Sequence, residues 1–132
     1  MGRLMKTVFV SGATGFTGGH LARRLAEDGY HVKALVRPGK KVDTLKALKV
    51  EIVPGDLTDA ESLSGVLSGV DEVYHIAAVY REEGIDRNLF WDVNVGGTEN
   101  LLKEAKSAGV KRFIHCSTVG VQGEIKNPPA KE

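Results

Sequence analysis

The stretch VSGATGFTGGHL, residues 10–21, places four glycines between an apolar run and a helical pattern. Gly12, Gly15 and Gly18 recur every three residues, and Gly19 follows directly. The first gap is one residue wider than in the G-x-G-x-x-G fingerprint, and no Gly-Lys-Ser/Thr follows as in a Walker A loop. Because glycine permits positive φ and close approach of the backbone, the stretch predicts a tight turn from a strand into a helix.

Strand and helix patterns alternate outward from this turn. Short apolar, β-branched runs predict strands, and apolar residues three or four apart predict helices between them. The predicted strands span residues 6–11, 31–37, 50–55, 71–79 and 110–118, and the predicted helices span residues 16–28, 42–49, 59–69 and 85–108. This alternation predicts an α/β fold, a Rossmann-like doubly wound parallel sheet of about five strands in the order 3-2-1-4-5, within three α/β/α layers.

Length and composition fit one domain, predicted over residues 1–123, with a polar loop or tail over 124–132. The 132 residues carry a net charge of +1, which indicates neither a nucleic-acid nor an anionic membrane partner. No apolar run approaches the ~20 residues of a membrane helix, and the first ten residues do not have the pattern that predicts a signal peptide. The single cysteine fits a reducing compartment, and no histidine has the spacing of a metal ligand. We therefore expect a cytoplasmic protein without a metal site.

The glycine turn suits a phosphate-bearing ligand. In doubly wound sheets, ligands bind beyond the carboxyl ends of the strands, where the strand order reverses. A helix that begins there directs free backbone N–H groups and the positive end of its dipole at an anion. The alternative is a glycine-rich turn without a ligand, which the position between the first strand and the first helix disfavours.

Five short elements, in order and at matching intervals, resemble the short-chain dehydrogenase/reductase superfamily. The first is similar to its T-G-x-x-G-x-x-G loop, the second to its Asp-Leu element, the next two to motifs of the extended subfamily, and the last to the segment with the active-site Ser or Thr. These elements are SGATGFTGG (11–19), GDLTD (55–59), HIAA (75–78), NVGGT (94–98) and FIHCSTVGVQG (113–123).

The extended type covers nucleotide-sugar epimerases and dehydratases, dihydroflavonol reductases and 3β-hydroxysteroid dehydrogenases. The resemblance therefore implies a nicotinamide dinucleotide cofactor and hydride transfer. It also implies that Asp56 meets the adenine and that Asn94 bonds backbone near the active site. The predicted cofactor-binding residues are Gly12, Thr14, Gly15, Phe16, Thr17, Gly18, Arg37, Lys41, Asp56, Leu57, Ala77, Ala78 and Asn94.

The end of the second predicted strand bears on which cofactor is bound. A NAD site usually has an acidic residue about 20 residues beyond the loop, whereas an arginine suits the 2′-phosphate of NADP. Arg37 stands at this place, Lys40 and Lys41 follow, and no carboxylate appears before Asp43. Charge-assisted hydrogen bonds therefore favour NADP, with NAD as the alternative. A solvated basic turn over residues 37–41 is the competing interpretation.

The catalytic set of the resembling family is incomplete in this sequence. The family uses a Y-x-x-x-K pair, and no tyrosine here has a lysine four residues later. The resemblance puts Thr118 at the Ser/Thr position, with Ser117 beside it. We expect the chain by itself to lack acid/base catalysis and the C-terminal substrate-binding part of the family. A fragment, a truncated gene product and a free-standing cofactor module all stay open.

Two other functions compete with a cofactor domain of an oxidoreductase or epimerase. One is a catalytically silent NADP-binding sensor or partner module, and the other is an interaction domain that has lost the ligand. A fifth strand at the sheet edge also predicts pairing with a second copy of the chain. We further expect His75 to be a packed strand residue, Cys116 a small buried residue, and Phe90 and Trp91 part of the core or an interface.

Overall fold

The computed structural model describes residues 5–79, 84–124 and 126–129. Five parallel strands form one sheet in the order β3-β2-β1-β4-β5, which confirms the predicted topology. The strands are β1 (Thr7–Ser11), β2 (His31–Val36), β3 (Glu51–Pro54), β4 (Glu72–His75) and β5 (Arg112–His115). The α-helices are α1 (Phe16–Glu27), α2 (Asp43–Ala47), α3 (Arg87–Trp91) and α4 (Thr98–Ala108).

The central strand β1 is buried on both faces of the sheet. Val8, Phe9 and Val10 have no exposed surface, and side chains alternate between the two faces along a strand. Val8 and Val10 pack in one layer with residues of α1 and α2. Phe9 packs in the other layer with α4 and the segment after β3. The uninterrupted apolar run of β1 therefore reflects helical layers on both sides of the sheet.

The helix predicted over residues 59–69 is wrong. A 3-10 helix, Ala60–Leu63, is followed there only by turns. The Ser62 hydroxyl donates to the carbonyl oxygen of Asp59 at 2.7 Å, a local bond that competes with helical bonding. Gly65 has a φ of +76°, which an α-helix does not accommodate. The apolar spacing of this segment therefore serves packing against the sheet without a regular helix.

The long helix predicted over residues 85–108 is divided into three parts. The α-helix α3 continues directly into a π-helix, Asp92–Gly97, which leads into α4. Asp86 caps the start of α3, because its side chain accepts from the backbone N–H of Asn88 at 2.9 Å. Gly109 ends α4 in the left-handed conformation, as the sequence predicted. Insertions of π-helix frequently mark functional sites, and this one lies beside the cleft described below.

Gly97 brings the start of α4 against the loop after β3. A Cβ on Gly97 would lie 2.9 Å from the Cβ of Leu57, closer than side-chain atoms pack. Asn100 strengthens the contact by donating its side-chain amide to the carbonyl oxygen of Leu57 at 2.8 Å. A Cβ on Gly96 would have no close neighbour, since the carbonyl oxygen of Trp91 is 4.0 Å away. The close approach therefore requires glycine at position 97 and does not require it at position 96.

The strands β3 and β5 form the edges of the described sheet. Pairing of β5 with a second copy of the chain stays a prediction. In the predicted tail, residues 124 and 126–129 form neither helix nor strand, and residues 125 and 130–132 lie outside the described part. Within the described ranges, no helix combines the length and the apolar character needed to cross a bilayer.

We expect Gly97→Ala to lower the free energy of unfolding by about 1–3 kcal/mol, because the new methyl group forces α4 away from Leu57. Gly96→Ala is the matched control, and helix propensity should leave its free energy of unfolding unchanged or raise it by up to about 1 kcal/mol. Urea denaturation of both variants measures the difference. Equal unfolding free energies would contradict the assigned packing.

Candidate functional site

A cleft of about 550 Å³ opens at the carboxyl ends of the strands. It lies above β1 and β4. The strand order reverses between these two strands, since β2 and β3 lie on one side of β1, and β4 and β5 lie on the other. Ligands bind at this position in doubly wound sheets. The segments after all five strands contribute to its wall, through Gly12, Arg37, Gly55, Ile76 and Cys116 respectively.

The three evenly spaced glycines have different roles in the turn after β1. Gly12 has a φ of +80°, and a Cβ there would lie 2.7 Å from the backbone nitrogen of Ala77. A Cβ on Gly18 would overlap the carbonyl oxygen of Gly12. A Cβ on Gly15 would meet only that oxygen, at an ordinary 3.4 Å. Gly12 and Gly18 are thus required by the packing of the turn, whereas Gly15 leaves the floor of the cleft clear.

The amino end of α1 faces the cleft without a side-chain cap. Gly15 is the N-cap residue, and the first turn contains no acidic residue. Phe16, Thr17 and Gly18 form this first turn and line the cleft. Their backbone N–H groups have no acceptor within the helix, because the first turn lacks preceding carbonyl groups. These N–H groups and the helix dipole fit an anion such as a phosphate.

Charged side chains line the cleft near the ends of β2 and β3. Arg37 and Lys40 lie there, and Asp56 is the one acidic residue among the described residues of the wall. Oδ1 of Asp56 accepts from the backbone N–H and the hydroxyl of Thr58, at 2.9 and 2.8 Å. These bonds fix the orientation of the carboxylate. Lys41, which the sequence predicted as a contact, does not line the cleft.

Buried His75 connects β4 to β1 and to α4. Its side chain is packed, as the sequence predicted, with 1% of the residue exposed. Nδ1 lies 2.6 Å from Oγ of Ser11, and Nε2 lies 2.8 Å from Oγ1 of Thr98. Oγ of Ser11 also accepts from the backbone N–H groups of Ile76 and Ala77, each at 3.1 Å. The sequence did not reveal these partners, although both hydroxyls fall within the quoted motifs.

Asn94 holds the segment after β4 from the π-helix. Its Oδ1 accepts from the backbone N–H of Val79, and its Nδ2 donates to the carbonyl oxygen of Val79, both at 2.8 Å. The amide thereby bonds Val79 as a neighbouring strand would. Thr98 donates its hydroxyl to the carbonyl oxygen of Asn94 at 2.7 Å. The network of His75 therefore extends to the wall of the cleft that Asn94 and Val79 form.

Ser117 and Thr118 line the cleft just beyond β5. Thr118 is the N-cap of a 3-10 helix, Val119–Gln122, and its Oγ1 accepts from the backbone N–H of Gly120 at 3.3 Å. The hydroxyl hydrogen of Thr118 is not used in this bond. A group bound in the cleft can therefore accept a hydrogen bond from Thr118.

The two described tyrosines lie outside this cleft. Tyr30 packs against the core beside α1. Tyr74 donates its hydroxyl to Oε2 of Glu72 at 3.3 Å. Burial, and then the negative charge of Glu72, raise the pKa of the Tyr74 phenol above its ordinary value. A general base at neutral pH needs the opposite shift, so Tyr74 lacks both the position and the environment for that role. Tyr80 lies outside the described residues.

The burial expected for Cys116 is wrong, and so is the core location that was one of two alternatives for Trp91, whereas an interface at Trp91 stays a prediction. Cys116 is exposed and lines the cleft, because β5 ends at His115 and the next residues form the wall. Trp91 is 67% exposed at the end of α3 and does not belong to the core of the chain. Phe90 is half-buried.

Apart from Lys41, the predicted cofactor and catalytic residues all line this one cleft. Leu35 and Val93 also line it, although the sequence did not single them out. Val93 precedes Asn94 in the chain, and Leu35 lies in β2 two residues before Arg37, so proximity to the motifs was the available signal. In the described part of the chain, no group of His, Cys, Asp or Glu side chains has the arrangement of a metal site.

Comparisons with known proteins agree on one family. A family model described as the NAD dependent epimerase/dehydratase family matches residues 8–132. The chain is 43% identical to sterol demethylase protein B of Methylococcus capsulatus, over 89% of this chain and 36% of that protein. It is 36% identical to 3 beta-hydroxysteroid dehydrogenase/Delta 5-->4-isomerase of Mycobacterium tuberculosis, over 86% of this chain and 32% of that protein.

A solved structure with a bound dinucleotide shares the fold. The Bordetella bronchiseptica enzyme WbmH in complex with NAD+ has a TM-score of 0.80 and 27% identity, covering 96% of this chain and 44% of that one. The chain spans about a third of the length of the curated relatives it matches.

Stability should depend on pH through His75. Burial lowers the pKa of His75 to about 4, and the His115 imidazole, stacked 5.6 Å away, adds to the lowering. The unfolded chain has a histidine pKa near 6.5, so between pH 6.5 and 4 it binds a proton that the folded chain excludes. The free energy of unfolding should therefore fall by about 3 kcal/mol as the pH falls through this window.

His75→Gln provides the control, because glutamine does not titrate in this range. Urea denaturation of both proteins from pH 7 to 4 gives two profiles whose other ionisable groups are the same. The wild-type profile should fall more steeply toward acid than the variant profile. Parallel profiles would mean that His75 binds its proton equally in the folded and unfolded chains.

Proposed function

The chain belongs to the NAD dependent epimerase/dehydratase family, within the extended short-chain dehydrogenase/reductase superfamily, and from this membership we propose that its cleft binds a nicotinamide dinucleotide. From the cationic residues that follow β2 in the wall of the cleft, we further propose a preference for NADP(H) over NAD(H). Its role is that of the cofactor domain of an oxidoreductase or epimerase. When bound, the dinucleotide supplies a hydride donor or acceptor. A silent NADP-binding sensor and an interaction domain without a ligand are the alternative functions.

The observation that carries the proposal of dinucleotide binding is the start of α1, which faces the cleft without a side-chain cap. Gly15 leaves the floor clear, and the first-turn N–H groups of Phe16 and Thr17 have no helical acceptor. The pyrophosphate of a dinucleotide is an anion of suitable charge for these donors. The adenosine half would then lie toward Arg37 and Asp56. The nicotinamide half would lie toward Ala77, Ala78, Asn94 and Thr118.

Gly15→Ala tests the pyrophosphate position. The added methyl meets only the Gly12 carbonyl oxygen at 3.4 Å, so folding should be nearly unaffected. The methyl enters the floor of the cleft, and the affinity for NADPH should fall about tenfold or more through lost charge-assisted hydrogen bonds. Calorimetric titration of the 132-residue chain with NADPH gives the Kd of each protein.

Gly96→Ala makes the same substitution at a position outside the wall of the cleft, and its NADPH affinity should equal that of the wild type. Unchanged affinity in Gly15→Ala would reject the pyrophosphate position. Absence of dinucleotide binding by the wild type would reject the cofactor role and favour the interaction domain.

Arg37 and Lys40 support the preference for NADP. Arg37 directly follows β2, and the backbone N–H of Lys40 donates to its carbonyl oxygen at 3.4 Å. This turn keeps both cationic residues in the wall of the cleft. A NAD site would instead present a carboxylate to the ribose 2′-hydroxyl at the end of β2. The nearest carboxylate after Arg37 in the chain is Asp43, which starts α2 outside the wall.

Arg37→Ala should weaken NADPH binding by about tenfold to a hundredfold, the effect of losing hydrogen bonds between charged groups. NADH binding should change little, because NADH lacks the 2′-phosphate. Lys46→Ala removes an equal charge from α2, away from the wall of the cleft, and serves as the matched control. Tighter binding of NADH than NADPH by the wild type, or no loss of NADPH affinity in Arg37→Ala, would refute the preference.

Thr118 is the residue we assign to the substrate oxygen. Its hydroxyl lines the cleft, and its hydrogen has no acceptor among the described residues, so it can donate to a carbonyl or hydroxyl group. The name of the mycobacterial relative, a hydroxysteroid dehydrogenase, supports a substrate with a hydroxyl or ketone group. Proton transfer would still need a group of suitable pKa, and no Y-x-x-x-K pair exists in the 132 residues.

The chain alone should therefore bind NADPH without transferring hydride. NADPH absorbance, followed in the presence of ketones or sugar nucleotides, should stay at the rate of the protein-free blank. Turnover that disappears in Thr118→Ala would contradict this prediction and would exclude the silent module as well.

A further inference from the structure

The buried hydrogen bonds of His75 determine which ring nitrogen carries its proton. Oγ of Ser11 accepts from the backbone N–H of Ala77 and from that of Ile76, which it shares with the Ser11 carbonyl oxygen at 3.2 Å, so both acceptor positions of Oγ face N–H donors. The Ser11 hydroxyl hydrogen is then left for Nδ1 of His75, 2.6 Å away. Nδ1 must therefore act as an acceptor.

The other side of the ring gives the same result independently. Thr98 uses its hydroxyl hydrogen to donate to the carbonyl oxygen of Asn94 at 2.7 Å. Its Oγ1 is thus an acceptor toward Nε2 of His75, at 2.8 Å. The imidazole is neutral, with its proton on Nε2. The donors run in one direction, from Ser11 through His75 and Thr98 to the carbonyl of Asn94.

This chain of bonds ends on two different parts of the wall of the cleft. At one end, Ser11 precedes Gly12, whose backbone lies so close to Ala77 that a Cβ would not fit between them. At the other end, Asn94 holds Val79 through two bonds of 2.8 Å. One imidazole ring therefore links the glycine turn to the Asn94 wall through side chains, beside the backbone segment that runs from Ile76 to Val79.

We propose that His75 is a positioning residue, whose neutral imidazole with the proton on Nε2 holds Ser11 and Thr98 and so sets the spacing of the two walls. The effect on a bound cofactor rests on the proposed function, whereas the proton position and the hydrogen bonds that hold Ala77 and Val79 do not. His75 does not line the cleft, so it acts through Ser11 and Thr98.

The proton position is testable in the wild-type chain without any ligand. Nitrogen-15 NMR of the labelled imidazole at pH 7 should show a protonated Nε2 and an unprotonated Nδ1 for His75. A proton on Nδ1, or on both nitrogens, would overturn the proposal, because either form leaves two donors facing each other at Ser11.

Two substitutions separate the two sides of the ring. Asparagine carries its amide near the position of Nδ1 and can accept from Ser11, whereas glutamine reaches the position of Nε2 and can donate to Thr98. In His75→Asn, the Val79 amide should exchange with solvent about tenfold faster while the Ala77 amide stays protected. In His75→Gln, the Ala77 amide should exchange faster by a similar factor while the Val79 amide stays protected.

A residue that only fills the core would alter both amides together, so equal acceleration at Ala77 and Val79 in both variants would overturn the proposal. Thr98→Val and Thr98→Ser give a second comparison that leaves His75 in place. The valine variant should accelerate exchange at Val79, and the serine variant should restore protection because it keeps the hydroxyl.

The cofactor measurement is kept separate. If the wild type binds NADPH, Thr98→Val should weaken binding several-fold and Thr98→Ser should match the wild type; equal Kd values for valine and serine would remove the proposed effect on the cleft. If the wild type does not bind NADPH, the proposed function fails, and the proton position and the amide exchange still decide the role of His75.

Discussion

The hydrogen bond of 2.6 Å between Ser11 and His75 joins the two central strands at the point where the sheet reverses its order. A buried imidazole that lacks partners is costly, so the fold supplies a hydroxyl on each side of the ring. Among the described residues, no buried side-chain nitrogen or oxygen lacks a hydrogen-bond partner. The apolar layers make the sheet stable, and this polar network makes the geometry above it specific.

The residues around the cleft divide into those that shape it and those that face it. Ser11, Gly12 and Gly18 fit the turn against β4 and α1, and Gly97 brings α4 against the loop after β3. Gly15 and the cationic residues Arg37 and Lys40 line the open space of the cleft. A single glycine-rich motif thus combines packing and binding roles, and the spacing alone does not tell them apart.

The sequence predicted the strand order and the location of the cleft, because β1 is apolar on both faces and glycine turns and right-handed crossovers restrict the topology. It failed where short-range polar bonds decide. Where the sequence predicted a helix over residues 59–69, the side-chain bond of Ser62 and the positive φ of Gly65 favour a short 3-10 helix and turns. Lys40 lines the cleft and the next residue, Lys41, does not, a difference that the sequence pattern did not reveal. The pairing of His75 with Thr98 joins positions 23 residues apart, which no local pattern reports.

The π-helix makes the number of residues before α4 as important as their identity. Each residue of an α-helix turns the next side chain by roughly 100°. Removing one residue between Asn94 and Thr98 would rotate the Asn94 amide away from Val79, even though α4 stayed packed through Leu101. A π-helix contains one residue more per turn than an α-helix would. Relatives that gain or lose a residue here should therefore present a different side chain to the cleft, and we expect a length change in this segment to alter the shape of the cleft without any substitution in its motifs.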